Sequence, residues 1–428
     1  MSRPLPSPAP AADIAPVDLT TAMSVCPVEE RACWDTLGNV LHEAEGRDAF
    51  EIHFEPESDC LRVRFRSLFE FTEIRLEDST PYLDALARLQ GSLWHADNSD
   101  TARRGWFNFT VSNTTCLYQL DVVRSSKGAT YLLTHLDDSR QQPARLEDLG
   151  LNRVQLSTLK EALQQRNGLI VVAGELSQAR RRISRAIAQS LVAPDMKIIV
   201  ADTLVHPVIP RTTQLGMDFP ADSSQQDTWN AMCRLGADAI VTAQTLEDTA
   251  ARRLINQAAE QTLVVNSIAA DSAAGCIGRL LGLGIRSETL AHCLTAIVLQ
   301  HRVRCLCPYC RVPASPDDAG TAWLARYSPI QSGNINDWLR HRMRSSFSSS
   351  EGCDRCNGTG HRNWLDIFDV ISITSELRDA LYDADYRYAF SLVEQQRSLG
   401  RSLLKLAQEG IISLSEATRL TGEPGQTE

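Results

Sequence analysis

Apolar and polar residues alternate in two short segments near the start of the chain. Residues 48–56 and 61–66 each follow a period of two, which predicts a β-hairpin with its turn at residues 57–59. The helices and strands that complete this region are predicted at residues 27–46, 80–91 and 106–137. Together they predict a small α+β domain over residues 37–140. Residues 1–36 are expected to be a flexible tail with a short helix, because closely spaced prolines prevent regular pairing.

From about residue 146 the pattern changes to short, continuously apolar runs separated by helical segments. The runs are residues 168–174, 197–202, 239–243 and 262–266. A strand inside a parallel sheet is covered on both faces, so these runs predict a doubly wound α/β domain over residues 146–300. Such sheets bind ligands at the carboxyl ends of their strands, which makes the turn after Gly174 a candidate site.

Composition excludes several functional classes. The net charge of −10 argues against a nucleic-acid-binding protein, since phosphate contacts need a basic face. No apolar run approaches the roughly 20 residues that span a bilayer, so direct membrane insertion is not expected. The chain opens without a signal peptide, and its twelve cysteines are therefore expected to be reduced in the cytoplasm.

Four of these cysteines form two C-x-x-C pairs, Cys307 with Cys310 and Cys353 with Cys356. Paired C-x-x-C spacing is typical of a tetrahedral zinc site, because each pair presents two thiolates to one ion. Four thiolates fill the coordination sphere, so the expected zinc is structural, in a subdomain over residues 301–428 that ends in helices. Cys305 lies one position off the pattern and is the least favoured ligand.

The strand, turn and helix over residues 168–192 occupy the position of a phosphate-binding loop. That loop needs glycines around the phosphates, a Lys on the β/γ oxygens and a Ser or Thr hydroxyl on Mg²⁺. Here Gly174 survives, Glu175 follows it, Arg180 stands in the place of the Lys, and Arg181 replaces the hydroxyl. The sequence therefore argues against Mg-ATP binding. An anion bound by Gly174 and Arg180 stays an open alternative, because Arg often binds anions.

Arg62, Arg64 and Arg66 fall on one face of the second hairpin strand by the period of two. Three guanidinium groups on one face repel one another unless they meet an anion or an acidic partner. The pattern leaves two interpretations open: a solvent-exposed sheet face, or an anion contact.

Several longer motifs carry a family resemblance. Residues 305–310 (CLCPYC) and 352–362 (GCDRCNGTGHR) resemble the paired cysteine motifs of the assembly ATPases of type II secretion and type IV pili. Residues 48–56 look like that family's "ASDIHIEP" strand, and the resemblance extends over residues 48–422. It implies a RecA-like P-loop NTPase fold, preceded by a small α+β (PAS-like) domain and followed by a zinc clip with a helical subdomain.

The same alignment implies that the groups for chemistry are lost. The acidic box keeps only Asp202, Gln244 stands where the family's catalytic Glu polarises water, and Ala269 replaces the His of the His box. A neutral amide can orient water but cannot accept its proton. With Arg180 and Arg181 at the P-loop, these degenerate positions predict no catalytic residue and no enzyme activity.

The resemblance implies a hexameric ring, in which Arg62, Arg64 and Arg66 would act on a neighbour's nucleotide. We therefore expect a pseudo-ATPase that serves as scaffold, regulator or mixed-ring subunit with an active paralogue, at the inner-membrane platform of a pilus or secretion machine. Residues 1–36 are too short for the N-terminal docking domain of many family members. Two alternatives stay open: a weakly active ATPase with a non-standard P-loop, and an anion or cyclic-nucleotide module built on residues 180–182 and 185.

Overall fold

A computed structural model describes most of the chain. The described residues are 17–18, 28–47, 49–67, 71–93, 102–111, 114–138, 145–202, 208–216, 229–230, 232–243, 248–327, 347–356 and 358–421. They divide into two compact units, one before residue 143 and one after it.

In the residues that the structure describes, the first unit is a seven-stranded sheet with two helices. Its strands are β1 (Val17–Asp18), β2 (Glu51–Pro56), β3 (Leu61–Arg66), β4 (Phe71–Leu76), β5 (Ala102–Val111), β6 (Thr114–Ser125) and β7 (Gly128–Asp138), in the order β1-β5-β6-β7-β2-β3-β4. The helices are α1 (Val28–Gly46) and α2 (Thr80–Leu93). Leu41 and Leu86 from the helices share one core with Phe54, Phe65 and Phe107 from the sheet.

The predicted hairpin forms: β2 pairs with β3 in antiparallel register, with Glu51 opposite Arg66 and Pro56 opposite Leu61. In β3 the apolar residues Leu61, Val63 and Phe65 are buried, whereas the arginines between them are not. Strict alternation therefore places the three arginines together on the face away from the helices.

The second unit is a mostly parallel sheet. Its strands are β8 (Gly168–Gly174), β9 (Ile198–Asp202), β10 (Thr213–Gly216), β11 (Ala239–Thr242), β12 (Leu263–Ile268), β13 (Leu294–Leu306) and β16 (His361–Ser372), in the order β10-β9-β11-β12-β8-β13-β16. A separate two-stranded sheet pairs β14 (Arg311–Ala314) with β15 (Phe347–Ser350). The α-helices whose bounds the structure describes in this unit are α3 (Arg153–Leu163), α4 (Ser177–Ser190), α5 (Asp248–Glu260), α6 (Ala273–Gly282), α7 (Ser287–Cys293), α8 (Asp318–Tyr327), α9 (Ser375–Tyr382), α10 (Tyr386–Gln396), α11 (Leu399–Gln408) and α12 (Leu414–Thr421).

The central strands of this sheet are buried along their whole length. Every residue of β8 is buried, and its side chains alternate between two cores. Leu169, Val171 and Ala173 belong to one core, while Ile170 and Val172 belong to the other. Helices cover both faces, which explains why the sequence of β8 is continuously apolar.

The α/β fold with a parallel sheet is confirmed. The predicted domain boundaries stay predictions; β13 continues through the one placed at residue 300 and pairs antiparallel with β16. Among the helices that the structure describes, none combines the length and apolarity required to cross a bilayer.

Candidate metal centre and nucleotide turn

The antiparallel ladder of β13 and β16 brings the two cysteine pairs together. Leu306, the last residue of β13, lies opposite His361, the first residue of β16. Cys307 therefore follows one strand where Cys356 approaches the other, and the Cys307 amide donates to the Gly360 carbonyl at 2.9 Å. Two segments far apart in sequence meet because the ladder fixes their register.

The four sulfur atoms of Cys307, Cys310, Cys353 and Cys356 lie within 4.8 Å of one another. The Sγ–Sγ distances are 4.0 Å between Cys307 and Cys353, and 3.8 Å for Cys356 to both Cys310 and Cys353. A tetrahedral zinc with Zn–S distances of about 2.3 Å gives edges of about 3.8 Å between its sulfurs. The donor set and its dimensions thus fit a four-coordinate metal ion.

Glycines allow the second cysteine pair to turn tightly. Gly352 has φ of +89°, and a Cβ at this position would collide with the Gly358 carbonyl. Gly360 has φ of +74° and would collide with the Ser350 side chain. Only glycine fits both constraints, so the glycines around the second pair belong to the site as much as the thiols do.

The electrostatics of the cluster favour a bound cation. Burial raises the pKa of Cys356, but N–H groups from Cys353 (3.2 Å) and Gly360 (3.3 Å) outweigh it and lower that pKa to about 6. Burial, together with hydrogen bonds to the other three thiols, raises the pKa of Cys310 to about 12. One thiolate is easily held, whereas four require a positive ion to balance them. Cys305 is not part of this cluster.

The turn between β8 and α4 contains only Glu175 and Leu176. The helix begins at Ser177, so residues 177–179 of the expected phosphate loop already belong to its first turn. Arg180 is 5% exposed, and its Nη1 donates to the carbonyls of Gly174 (2.6 Å) and Glu175 (3.0 Å). Burial and the neighbouring Arg279 lower the pKa of Arg180. The guanidinium thus holds the backbone of the turn itself.

The carboxylate at the end of β9 is bound by two arginines of α4. Arg181 Nε lies 2.6 Å from Asp202 Oδ2, and Arg185 Nη1 lies 3.4 Å from the same oxygen. Asp202 and Arg185 are buried and Arg181 nearly so. In this arrangement the two guanidinium groups supply the positive charge that a metal ion would supply to such a carboxylate.

The other predicted positions differ in outcome. Ala269 follows β12, and its carbonyl accepts from Arg279 Nη1 at 3.2 Å. Gln244 lies outside the described residues.

The three arginines of β3 pair with glutamates of their own hairpin and its turn. Arg62 bonds Glu55 (2.8 Å) and Glu57 (3.3 Å), Arg64 also bonds Glu55, and Arg66 lies 3.4 Å from Glu51. In the structure the three arginines therefore meet acidic side chains of their own hairpin and its turn. Contacts of these arginines with an external anion stay a prediction.

A polar network beside Gly174 was not predicted. Gln300 is buried opposite Gly174 in the β8–β13 ladder, and its side-chain amide donates to Asp366 Oδ1 at 2.7 Å. Arg302 Nε bonds the same oxygen at 2.8 Å. A Cβ on Gly174 would meet Gln300 at 3.0 Å, a tight contact, so this packing also favours glycine at the position. The pairing of β13 with β16, which creates the network, leaves no local pattern in the sequence.

Comparison with known proteins gives consistent matches along almost the whole chain. A family model described as Type II/IV secretion system protein matches residues 29–419. Putative type II secretion system protein E of Escherichia coli (strain K12) is 22% identical over 381 residues, covering 87% of this chain and 73% of that protein. Type IV pilus assembly ATPase PilB of Pseudomonas aeruginosa is 25% identical over 409 residues, covering 90% and 67% respectively.

Solved structures share the fold at low sequence identity. The Legionella pneumophila ATPase DotB has a TM-score of 0.60 at 13% identity, covering 90% of this chain and 95% of that one. The pilus retraction motor PilT with bound ADP has a TM-score of 0.57 at 15% identity, covering 90% and 96%. These similarities show the architecture and leave the activity to the residues of this chain.

Proposed function

The chain belongs to the type II/IV secretion system protein family, and from that premise we propose that it is a pseudo-ATPase subunit of a secretion or pilus assembly machine. The proposal rests on the turn between β8 and α4 (residues 175–176), which we name the nucleotide turn. Side chains of this protein already contact the backbone and the carboxylate that a nucleotide and its Mg²⁺ would need. Arg180 bonds the carbonyls of Gly174 and Glu175, while Arg181 and Arg185 bind Asp202. A triphosphate with its Mg²⁺ would have to displace both sets of contacts.

We propose a scaffold, a regulator or a mixed-ring subunit as its role, beside an active paralogue in a hexamer at the inner-membrane platform. The support is the family membership together with a turn that offers no open phosphate cradle. The proposed location is accordingly cytoplasmic, at the periphery of the inner membrane. In such a ring Arg62, Arg64 and Arg66 would exchange their Glu partners for a neighbour's nucleotide. Gln244, the alignment position of the catalytic Glu, is neutral in the sequence.

We further propose that the metal of the four-cysteine clip is a structural Zn²⁺. Zinc would be held by Cys307, Cys310, Cys353 and Cys356, and its chemistry would be to neutralise the thiolates and tie two chain segments together. With four protein ligands, no coordination position remains for a substrate.

The test is titration calorimetry with Mg-ATP and Mg-ADP, followed by phosphate release from protein freed of any paralogue. We expect no binding heat and no turnover. Arg182→Ala is the matched control, since Arg182 lies on the same helix but is exposed. Binding with turnover that Arg180→Ala abolishes and Arg182→Ala leaves intact would instead identify the second candidate, a weakly active ATPase.

That second candidate is favoured by one observation: relatives at 22–25% identity are named assembly ATPases. A third, an anion or cyclic-nucleotide module, rests on the cluster of Arg180–Arg182 and Arg185. Two of those four arginines are already paired with Asp202. Thermal stabilisation by cyclic nucleotides or pyrophosphate would support this third function, and its absence would reject it.

A further inference from the structure

The edge strand β16 has two halves with different surroundings. The outer edge of its second half is covered, because Gln155 donates to the Phe368 carbonyl and Gln396 bonds both the amide and the carbonyl of Ser372 at 3.0 Å. Residues 362–365 of the first half are exposed, including Trp364 at 36% and Leu365 at 40%. In the described part of the chain, no side chain caps the outer backbone of this half.

A β-bulge marks the open half. Arg304 lies opposite Trp364 and Leu306 opposite His361, so Arg362 and Asn363 together face the single residue Cys305. Asn363 has φ of +67°, a left-handed conformation that is uncommon for any residue other than glycine. Bulges on edge strands change the direction of side chains and often lie beside functional surfaces. Here the bulged residue Arg362 lies next to the metal clip.

Two guanidinium groups meet over one aromatic ring at this point. Arg355 Cζ lies 4.1 Å and Arg362 Cζ lies 5.7 Å from the centroid of Tyr309, whose side chain is 58% exposed. On the other side of the bulge, Arg302 Cζ lies 5.1 Å from the ring of Trp364. Arg302 is paired with Asp366, but Arg355 and Arg362 form no ion pair with any residue that the structure describes. Two like charges converge without a carboxylate between them, which favours an anion from outside.

One competing explanation lies within the clip itself. A Zn²⁺ ion with four thiolates carries a net charge of −2, which Arg355 and Arg362 would partly neutralise. However, the hydrogen bonds to Cys356 come from the N–H groups of Cys353 and Gly360, not from either guanidinium. The arginines instead stack on an exposed ring, and no residue that the structure describes accepts a hydrogen bond from their remaining donors.

We propose that Tyr309, Arg355, Arg362, Trp364 and Leu365 form a docking surface for an acidic segment of a partner protein; we name it the clip surface. Carboxylates of the segment bind the two guanidinium groups, and its backbone follows the open edge of β16. One apolar residue of the segment packs on Trp364, and a second reaches Leu365 on the opposite face of the strand. Exposed apolar side chains and a free strand edge beside the charges suit a peptide better than a free phosphate.

The experiment measures fluorescence anisotropy of a labelled peptide of alternating Glu and Val on the full-length, metal-loaded chain. The same peptide with Lys in place of Glu is the specificity control. The double variant Arg355→Ala/Arg362→Ala is expected to weaken binding at least about tenfold, equivalent to about 1.4 kcal/mol. Arg387→Ala/Arg401→Ala removes the same charge from exposed positions on other helices and should leave binding unchanged. Tyr309→Phe keeps the ring and should also bind normally.

Metal content and melting temperature of each variant separate the two explanations. Full metal content with lost peptide binding supports docking, whereas metal loss in the arginine variant assigns the arginines to the clip and overturns the proposal. It is also overturned if the wild type does not bind the acidic peptide, or binds phosphatidylglycerol vesicles or inorganic phosphate as tightly. Self-association of the wild type that the double variant abolishes would make the occupant a second copy and likewise overturn it.

Discussion

The metal clip follows the end of β13, and the nucleotide turn follows β8, whose last residue Gly174 pairs with Gln300 of β13. The polar groups of the two regions are arranged in opposite ways. In the clip, four thiols of one kind converge within 4.8 Å and cannot balance one another's charge as thiolates. In the turn, Arg180 donates to backbone carbonyls, and Arg181 and Arg185 bind Asp202. A site whose groups converge without mutual compensation needs a ligand, whereas a site whose groups satisfy one another has replaced its ligand with protein.

The largest effect that tests this comparison is expected from Cys353→Ser. Structural zinc contributes about 10–16 kcal/mol of linked binding and folding free energy in small zinc-finger peptides. We therefore expect loss of the metal by elemental analysis and a fall in melting temperature, at roughly 2–4 °C for each kcal/mol lost in a domain of this size. Cys305→Ser is the matched control, because Cys305 lies two residues before Cys307 and outside the cluster, and this variant should keep both values.

Full metal content and unchanged melting in Cys353→Ser would show that the four thiols hold no ion. The clip would then, like the nucleotide turn, be a site that needs no ligand, and the contrast between the two regions would disappear.

The next largest effect should come from Asp202→Asn. If the carboxylate served Mg²⁺, the substitution would change ligand binding and leave the fold intact. In this structure it removes the carboxylate charge that Arg181 and Arg185 contact, and breaking a buried ion pair costs about 3–5 kcal/mol. Urea unfolding should show this loss, and exposed Asp195→Asn should show none. Unchanged stability in Asp202→Asn would mean that the arginines are not bound as described.

Sequence patterns predict those parts of the structure that are determined by residues close together in the chain. β8 was predicted at its observed bounds because a strand buried on both faces is continuously apolar, and the C-x-x-C spacing specified the knuckles before any fold was known. No strand was predicted over residues 294–306, because helix α7 runs into β13 without an intervening Gly or Pro. Arg181 pairs with Asp202 on another element, and Arg304 of β13 pairs at 2.8 Å with Glu416 of α12, so only the folded topology specifies such partners.

A smaller effect on stability is expected from the loss of the ion pairs that Glu416 of α12 forms, one of which joins α12 to β13. Glu416 accepts from Arg304 (3.0 and 2.8 Å) and from Arg419 (3.0 and 2.8 Å). Burial raises the pKa of Glu416, but these guanidinium groups and the Arg304 amide overcome it and lower the pKa to about 2. The carboxylate therefore stabilises the fold above the ordinary pKa of 4.5, and this stability is lost as the pH falls through about 2.

Glu416→Gln should accordingly destabilise the chain by about 1.5–3 kcal/mol at pH 7, the range for hydrogen bonds to charged groups. The difference from wild type, measured by urea unfolding, should shrink as the pH is lowered from about 5 toward 2. Any metal lost in acid would be lost by both proteins alike, so the difference between them isolates Glu416. A pH-independent difference would show that packing, not charge, is what the substitution removes.

The smallest effect is expected from Arg180→Met, and it examines the nucleotide turn most directly. The substitution removes two hydrogen bonds to backbone carbonyls. This loss alone would lower the free energy of unfolding by about 1–3 kcal/mol. It also removes a buried cation that lies near Arg279 and whose Nε has no hydrogen-bond partner among the residues that the structure describes, which offsets much of that loss. We expect a net change of about 1 kcal/mol or less by urea unfolding. Mg-ATP binding should still be absent by calorimetry, because Arg181 and Arg185 continue to hold Asp202 and the helix still begins at Ser177. If Arg180→Met alone produced nucleotide binding, the arginine would be a removable plug over an intact phosphate site, and the turn would resemble the clip after all.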